Sequence, residues 1–111
     1  MQIHKDNNGV AVYAKTGDDI GHRYSIELGP KLKDELIELS FQKGGVAADG
    51  VNGITSEALL AVLIHRLEYL NGEFPCKENV DALAYLAGAL RSMESRTANR
   101  IARGVEGKDV E

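Results

Sequence analysis

The chain of 111 residues contains one cysteine, two prolines and no tryptophan. A lone cysteine, Cys76, excludes an internal disulfide bond and gives no sign of an oxidising compartment. The most apolar run, residues 58–64, is too short to span a bilayer, and no charged-then-apolar leader opens the sequence. These absences predict a soluble intracellular protein that makes no membrane contact.

The sequence also lacks the motifs that mark common enzymes. It has no His-Glu-x-x-His, Cys-x-x-Cys, P-loop or nucleophile elbow, and its three histidines stand far apart. Cys76 has no sequence cue that pairs it with a base. We therefore predict no catalytic residue, no metal site and no cofactor.

One segment near the end of the chain carries a net positive charge. Residues 91–103 carry four arginines against Glu94, a local charge of +3, which leaves −7 for the remainder of a chain whose net charge is −4. An acidic protein with one basic segment is a poor ligand for a long polyanion such as DNA. A small anion fits the segment better.

The first 42 residues alternate between apolar and polar side chains, which is the period of a strand. Turn signals divide them into four runs: 1–6, 9–15, 22–28 and 34–42. Asn8-Gly9 suits a type I′ hairpin turn. The last run fits a helix as well as a strand, and we interpret it as a strand. The prediction is an antiparallel β-meander with one covered face, followed by a glycine-rich loop over residues 43–54.

Residues 55–104 show the period of helices. Thr55 is suited to cap the first helix. Pro75 is suited to the first position of a second helix, which runs to Arg103, stops at Gly104 and is about twice as long as the first. Because the connection is short, we predict an antiparallel two-helix hairpin whose arginine-bearing half projects beyond its partner.

The predicted fold class is therefore α+β, in a single domain of residues 1–111 that ends in a tail of residues 105–111. Leucines along the first helix form a stripe that one neighbour would not cover. We expect the chain to oligomerise through its helices, with a symmetric dimer as the commonest outcome.

Three arginines share one face of the last two helical turns, because Arg96, Arg100 and Arg103 are spaced by four and three residues. Guanidiniums bind phosphate oxygens bidentately and keep their charge. The cluster indicates an anion site, unless its members only complement the negative end of the helix dipole.

A second candidate group surrounds the turn between the helices. Tyr69 and Phe74 offer aromatic faces, and Asn79 offers an amide that reads the edge of a purine. Phe74 is equally suited to a hydrophobic staple before Pro75, and Tyr69 to a core position. If subunits pack antiparallel, the arginines of one chain would meet the aromatics of another.

Several blocks of the last two-thirds of the chain agree in order and spacing with one known family: Gly50-Val51-Asn52-Gly53-Ile54-Thr55, Glu57-Ala58-Leu59-Leu60, Arg66-Leu67, Phe74, Cys76, Glu78-Asn79, Arg96-Thr97 and Arg100-Ile101-Ala102-Arg103-Gly104-Val105-Glu106-Gly107. In these blocks the chain resembles the phage anti-defence sponge family that counters Thoeris immunity. The resemblance covers about residues 41–107.

The resemblance implies a binding function without catalysis. Members sequester glycocyclic ADP-ribose signals uncleaved, and some also hold the cyclic di- or trinucleotides of CBASS defence. An aromatic residue at the place of Tyr69 stacks on the base, an asparagine at the place of Asn79 bonds it, and arginines at the places of Arg96 and Arg100 contact phosphates. Phe74 and Arg103 complete the expected site.

The resemblance also implies a homodimer, or a hexamer built as a trimer of dimers, acting in the cytoplasm of the infected host. Two departures stand out: Tyr69 replaces an expected phenylalanine, and His65 replaces an acid before Arg66. Two other functions stay open, a phosphodiesterase-like enzyme acting on the same signals and a small DNA-associated dimer. The missing enzyme motifs disfavour the first, and the acidic remainder of the chain disfavours the second.

Overall fold

A computed structural model of the protein describes residues 1–29 and 35–108. The chain divides into two compact units, one of Met1–Ile54 and one that begins at Thr55. The first unit contains the strands and the second contains the two long helices, so the predicted α+β class is confirmed. The elements are β1 (Gln2–Lys5), β2 (Ala11–Ala14), β3 (Arg23–Glu27), β4 (Leu36–Ser40), α1 (Val46–Asp49), α2 (Ser56–Glu73) and α3 (Lys77–Ala102).

The four strands form an antiparallel sheet in the order β1-β2-β3-β4, which is the predicted meander. Its register aligns Val12 with Ile26, and Ile26 with Ile37, so that three β-branched side chains lie in a row on one face. The ambiguous fourth run is a strand over its described part, since β4 pairs with β3 along five residues. The start of that run, residue 34, lies outside the described residues.

The first hairpin has a different turn from the predicted type I′. Gly9 alone has positive φ, at 82°, and Asn8 does not. The Asp6 carboxylate accepts from the backbone N–H groups of Asn8 (2.9 Å) and Val10 (3.1 Å), while Gly9 N–H bonds to the Asp6 carbonyl. The aspartate side chain thereby stabilises a longer loop that ends in a left-handed glycine.

The glycine-rich segment after β4 is tied down by two side-chain amides and includes the single-turn helix α1. Asn52 donates to the Lys43 carbonyl (2.8 Å) and accepts from the Lys43 N–H (2.9 Å). Gln42 accepts from the Asn52 N–H (3.0 Å) and donates to the carbonyl of Gly50 (2.8 Å). These reciprocal bonds close the segment on itself and bring Ile54 into a parallel bridge with Phe41.

Thr55 caps α2 as predicted, because its hydroxyl accepts from the Ala58 N–H at 3.1 Å. Pro75, however, is not the first residue of α3. Cys76 is the extended N-cap residue, with φ of −155°, and the helix begins at Lys77. The Asn71 side chain accepts from the Cys76 N–H at 3.3 Å, and the helix begins two residues later than the proline pattern predicts.

The two helices are antiparallel, since the Thr97 hydroxyl near the end of α3 donates to the Glu57 carboxylate near the start of α2, at 3.3 Å. The predicted two-to-one ratio of lengths is wrong: α2 has 18 residues and α3 has 26. The N–H of Phe74 still bonds to the Leu70 carbonyl, so α2 continues to Glu73. Thr97 of α3 lies beside Glu57, at the start of α2. Only the last turn or so of α3, after Thr97, therefore extends past α2.

Burial is slight within the described ranges. Ala11 is the one buried apolar side chain there, and α2 has no buried residue although it is rich in leucine. Val62 is 63% exposed and Tyr85 is 78% exposed. In residues 1–29 and 35–108, no helix combines the length and the apolar composition needed to cross a membrane.

Candidate ligand-binding site

The predicted ligand residues form two groups at opposite ends of the helical hairpin. Tyr69, Phe74 and Asn79 lie at the turn between α2 and α3, whereas the arginines lie at the far end of α3. Asn79 and Arg96 are separated by 17 residues of helix, or about 26 Å along its axis. Within one chain, the structure therefore brings the members of each group together and keeps the two groups apart.

Both aromatic side chains at the turn are accessible. Tyr69 is 58% exposed, so it is not the core tyrosine that the sequence also allowed. Phe74 is 76% exposed, which is not the burial that a hydrophobic staple requires. Two rings near one turn thus present their faces without packing into the hairpin.

Two asparagines fix the turn that carries these rings. Asn71 accepts from the Cys76 N–H, and Asn79 donates its side-chain Nδ2–H to the Phe74 carbonyl at 3.3 Å. Because only the amide nitrogen can donate to a carbonyl, the second bond sets which way the Asn79 amide faces. The amide oxygen of Asn79 is then turned away from the Phe74 carbonyl and can accept from an amino group.

At the other end of α3, two of the three arginines are exposed. Arg96 forms no ion pair with any residue in the described ranges. The Nε–H of Arg103 donates to the Asn99 side-chain oxygen at 2.9 Å, one helical turn earlier. Arg96 and Arg103 therefore present positive charge at the surface near the end of the helix.

Arg100 lies between them on the same helical face but is 6% exposed. Its Nε donates to the Glu106 carboxylate at 3.2 Å. Its Nη2 donates to the carbonyl oxygens of Val105 (3.0 Å) and Lys108 (2.7 Å). The guanidinium thus holds the segment that follows α3, which we term the C-terminal clasp, residues 104–108.

The backbone of the clasp begins as a Schellman motif. Gly104 has a φ of 73° and its N–H bonds to the Ile101 carbonyl, while the Val105 N–H bonds to the Arg100 carbonyl, both at 3.0 Å. Glycine is required at residue 104 because other residues adopt this left-handed conformation at a cost. The chain therefore turns back directly after the helix, and this turn places Glu106 beside Arg100.

Sequence reasoning identified the three arginines but missed Glu106 as a partner of one of them. The position of Glu106 in the sequence could have predicted this pairing. Glu106 lies between Gly104 and Gly107, and both glycines have positive φ. A carboxylate two residues after a helix-terminating glycine is within reach of the last helical turn. Such a residue pairs readily with a cation at the helix end.

The side chains at both ends of the hairpin are of types that can bind a ligand with a base and phosphates. Exposed rings stack on a base, an amide reads its edge, and guanidiniums neutralise phosphates. Among the described residues, no cluster of three or more His, Cys, Asp or Glu side chains has the geometry of a metal site. A separate cavity of about 110 Å³ in the first unit contains none of the predicted ligand residues, and its lining mixes Lys15 and Arg23 with Glu38.

No family model matches the chain. A characterised protein of Bacillus phage SBSphiJ7, Thoeris anti-defense 1, is 46% identical to it over 74 residues. This chain is a homologue of that Thoeris anti-defence protein. The match extends over 66% of this chain and 52% of the phage protein, so the chain spans about half the length of its relative. The family resemblance seen in the sequence is confirmed over the matched residues.

Proposed function

We propose that this protein is a phage anti-defence protein that binds cyclic nucleotide immune signals within the infected bacterial cell and sequesters them without cleaving them. The main ligands are glycocyclic ADP-ribose isomers, which are the signals of Thoeris immunity. The protein also binds cyclic di- or trinucleotides of CBASS defence. The observation that carries the proposal is the pairing of exposed rings at one end of the hairpin with helix-mounted arginines at the other. The likeness to Thoeris anti-defense 1 supports the biological role.

In this proposal, Tyr69 stacks on the nucleobase and Phe74 contributes a second apolar face. Asn79, whose amide nitrogen is bonded to the Phe74 carbonyl, accepts from an amino group on the base. Arg96 and Arg103 bind phosphate oxygens through charge-assisted hydrogen bonds. Mounting these side chains on helices reduces the freedom that they lose when the ligand binds, which favours slow release.

A complete site requires a second copy of the chain. The two groups are about 26 Å apart along α3, farther than one small ligand reaches. Antiparallel pairing of two hairpins would place the arginines of one chain beside the aromatics of its partner. The exposed apolar side chains of α2 and α3, Val62 and Tyr85 among them, supply a surface for this homodimer, and dimers would then assemble into a hexamer.

The proposal is tested by calorimetric titration of the purified protein with glycocyclic ADP-ribose isomers and with cyclic di- and trinucleotides. Sub-micromolar affinity for at least one signal is expected. Affinities that are micromolar or weaker for every signal would reject sequestration, because such a protein would release its ligand during infection. Duplex DNA is included in the same panel, and preferential binding of DNA would favour the alternative of a DNA-associated dimer.

Heat denaturation of the loaded protein separates binding from cleavage. A sponge returns the intact signal, which chromatography of the supernatant detects. A phosphodiesterase-like enzyme would return a linear product, and that result would replace the proposed function with catalysis.

Dimerisation is tested separately with Val62→Lys, which places a charge on the exposed apolar surface of α2. If α2 forms the interface, the mass of the particle in solution should fall to that of one chain. Lys77→Glu, a change at an exposed and already charged position, is the control. A wild-type protein that is monomeric at micromolar concentration with ligand bound would contradict the shared site.

A further inference from the structure

The turn between α2 and α3 is held by two side-chain amides, one from each helix. Asn71, in the last turn of α2, accepts from the Cys76 N–H at 3.3 Å. Asn79, in the first turn of α3, donates from Nδ2 to the Phe74 carbonyl, also at 3.3 Å. The two bonds therefore fix the backbone on both sides of Pro75.

Two starts compete for α3, one at Pro75 and the observed one at Lys77. Proline is favoured as the first residue of a helix, whereas cysteine is not among the residue types that cap helices well. Cys76 is nevertheless the N-cap residue, with an extended φ of −155°, and its side chain makes no capping bond to the described first turn of α3. The acceptor on Asn71 favours the later start, because it binds the Cys76 N–H while that residue is extended.

We infer that Asn71 is a positioning residue: by holding the start of α3 at Lys77, it sets which atom of the Asn79 amide the nucleobase meets. This inference rests on the proposed function, in which Asn79 reads the edge of the base. Asn71 acts through the Phe74 carbonyl and not by a contact of its own with the ligand.

The Phe74 carbonyl connects the two asparagines. It lies outside the observed helix, whose first backbone bond runs from the Val80 N–H to the Cys76 carbonyl at 3.2 Å. The Phe74 carbonyl is thereby left to the Asn79 side chain. With Nδ2 donating there, the amide oxygen of Asn79 faces away and accepts from a donor on the ligand.

An earlier start of α3 would remove this constraint. In a helix that began at Pro75, Phe74 would be the N-cap residue, and its carbonyl would accept from the Glu78 N–H. The Asn79 amide would then lose its partner and could present either its oxygen or its nitrogen to the base. Asn71 thus governs discrimination between a base that offers an amino group, such as adenine, and one that offers a carbonyl oxygen at the same place, such as hypoxanthine.

The test compares glycocyclic ADP-ribose with its hypoxanthine analogue, which carries the same phosphates. In the wild type, calorimetry should show about tenfold tighter binding of the adenine ligand, because hypoxanthine would place a carbonyl oxygen against the Asn79 amide oxygen. In Asn71→Ala this preference should fall to about threefold or less. Asn71→Asp keeps an acceptor for the Cys76 N–H and should restore the preference. Because both ligands carry the same charge, the ratio of their affinities is insensitive to the charge that aspartate adds.

Gly72→Ala is the matched control, since it changes the same turn of α2 at a position with open space around it and should keep the wild-type preference. A merely structural role for Asn71 would weaken both ligands equally in Asn71→Ala, and an unchanged ratio would therefore overturn the inference. An Asn71→Asp variant that behaves like Asn71→Ala would overturn it too, as would equal binding of the two ligands by the wild type.

Backbone chemical shifts measure the start of α3 without any ligand. In Asn71→Ala, the Cys76 signals should move from extended toward helical values, whereas in Gly72→Ala they should keep their wild-type values. A Cys76 that stays extended in Asn71→Ala would contradict the inference. A wild-type protein that binds no cyclic nucleotide would reject the proposed function, while the chemical shifts would still decide whether Asn71 sets the start of α3.

Discussion

Lys43 lies with its ammonium nitrogen 3.2 Å from an Asp19 carboxylate oxygen, although the two residues are 24 positions apart in the chain. The same ammonium donates to the Asp18 carbonyl at 2.6 Å. Lys43 follows Gln42, which closes the segment after β4, and Asp19 ends a single 3₁₀ turn before β3. This contact therefore reinforces the end of the sheet where Arg23 of β3 pairs with Ser40 of β4, by joining the turn before β3 to the segment after β4.

The contact predicts a shifted titration of Asp19. The hydrogen bond from Lys43 has the largest effect and lowers the pKa of the Asp19 carboxyl. Desolvation opposes it, and the charges of Lys43, Arg23 and His22 each lower the pKa by a smaller amount. A depressed pKa in the folded state means that the stabilisation is complete above the ordinary carboxyl pKa, about 4, and is lost as the pH falls and the carboxylate is protonated.

In Lys43→Met, the pKa of Asp19 should rise toward its ordinary value, as followed by NMR titration of the carboxyl carbon. Lys5→Met, which removes an exposed ammonium on β1 instead, should leave that pKa in place. An Asp19 titration that is the same in Lys43→Met and in the wild type would show that the contact does not persist in solution.

Asn52 is predicted to be the main support of the segment between β4 and α2. Asn52→Ala removes two hydrogen bonds to the Lys43 backbone, and we expect the free energy of unfolding to fall by about 1–3 kcal/mol. Asn52→Asp should be similarly harmful, because it keeps an acceptor for the Lys43 N–H but turns a second oxygen toward the Lys43 carbonyl. Urea denaturation measures both, with Asn7→Ala in the exposed first hairpin as the control. Values for Asn52→Ala that match the control would contradict the prediction.

The four strands and the two long helices could be predicted because each is specified by its own periodicity, whereas the single-turn helix α1 lies in the segment predicted to be a loop. Alternation locates β1 to β4, and Thr55 and Gly104 mark the ends of the helical region as the structure has them. The predictions failed where a hydrogen bond from a neighbouring side chain decides the backbone conformation. Asp6 sets the first hairpin turn, and Asn71 delays the start of α3.

In the candidate site, too, some features could be predicted from the sequence and others could not. Spacing shows that Arg96, Arg100 and Arg103 share a face of α3, but spacing cannot show that the middle one is enclosed by residues that follow the helix. The spacing of residues shows which side chains share a face of a helix, whereas the burial of a side chain depends on which other residues pack against that face. The assignment of ligand residues therefore stays a prediction.

The cap of α2 offers a direct measure of how far the helical unit depends on its own local interactions. Thr55→Ala leaves the Ala58 N–H without its side-chain acceptor and should lower the free energy of unfolding by about 1 kcal/mol. Ser56→Ala, at the exposed first residue of the helix, should change stability by only a few tenths. Equal effects of the two substitutions in thermal or urea denaturation would mean that the cap contributes nothing.

Tyr69 carries the last prediction, which separates stacking from hydrogen bonding at the proposed base site. The ring is 58% exposed, and stacking requires only its aromatic face. Tyr69→Phe should therefore keep the affinity for glycocyclic ADP-ribose within about threefold, since phenylalanine is the residue that the family resemblance places there. Tyr69→Leu retains an apolar side chain of similar reach without the π-face, and it should weaken binding by about 1–3 kcal/mol.

Calorimetry of the three proteins distinguishes the possible roles of Tyr69. If Tyr69→Phe binds as weakly as Tyr69→Leu, the hydroxyl and not the ring recognises the ligand. If both variants bind as the wild type does, the base lies elsewhere, and Phe74 becomes the candidate because its ring is 76% exposed at the same turn. Phe74→Leu then decides between the two rings, because loss of affinity in that variant alone would show that the base stacks on Phe74 and not on Tyr69.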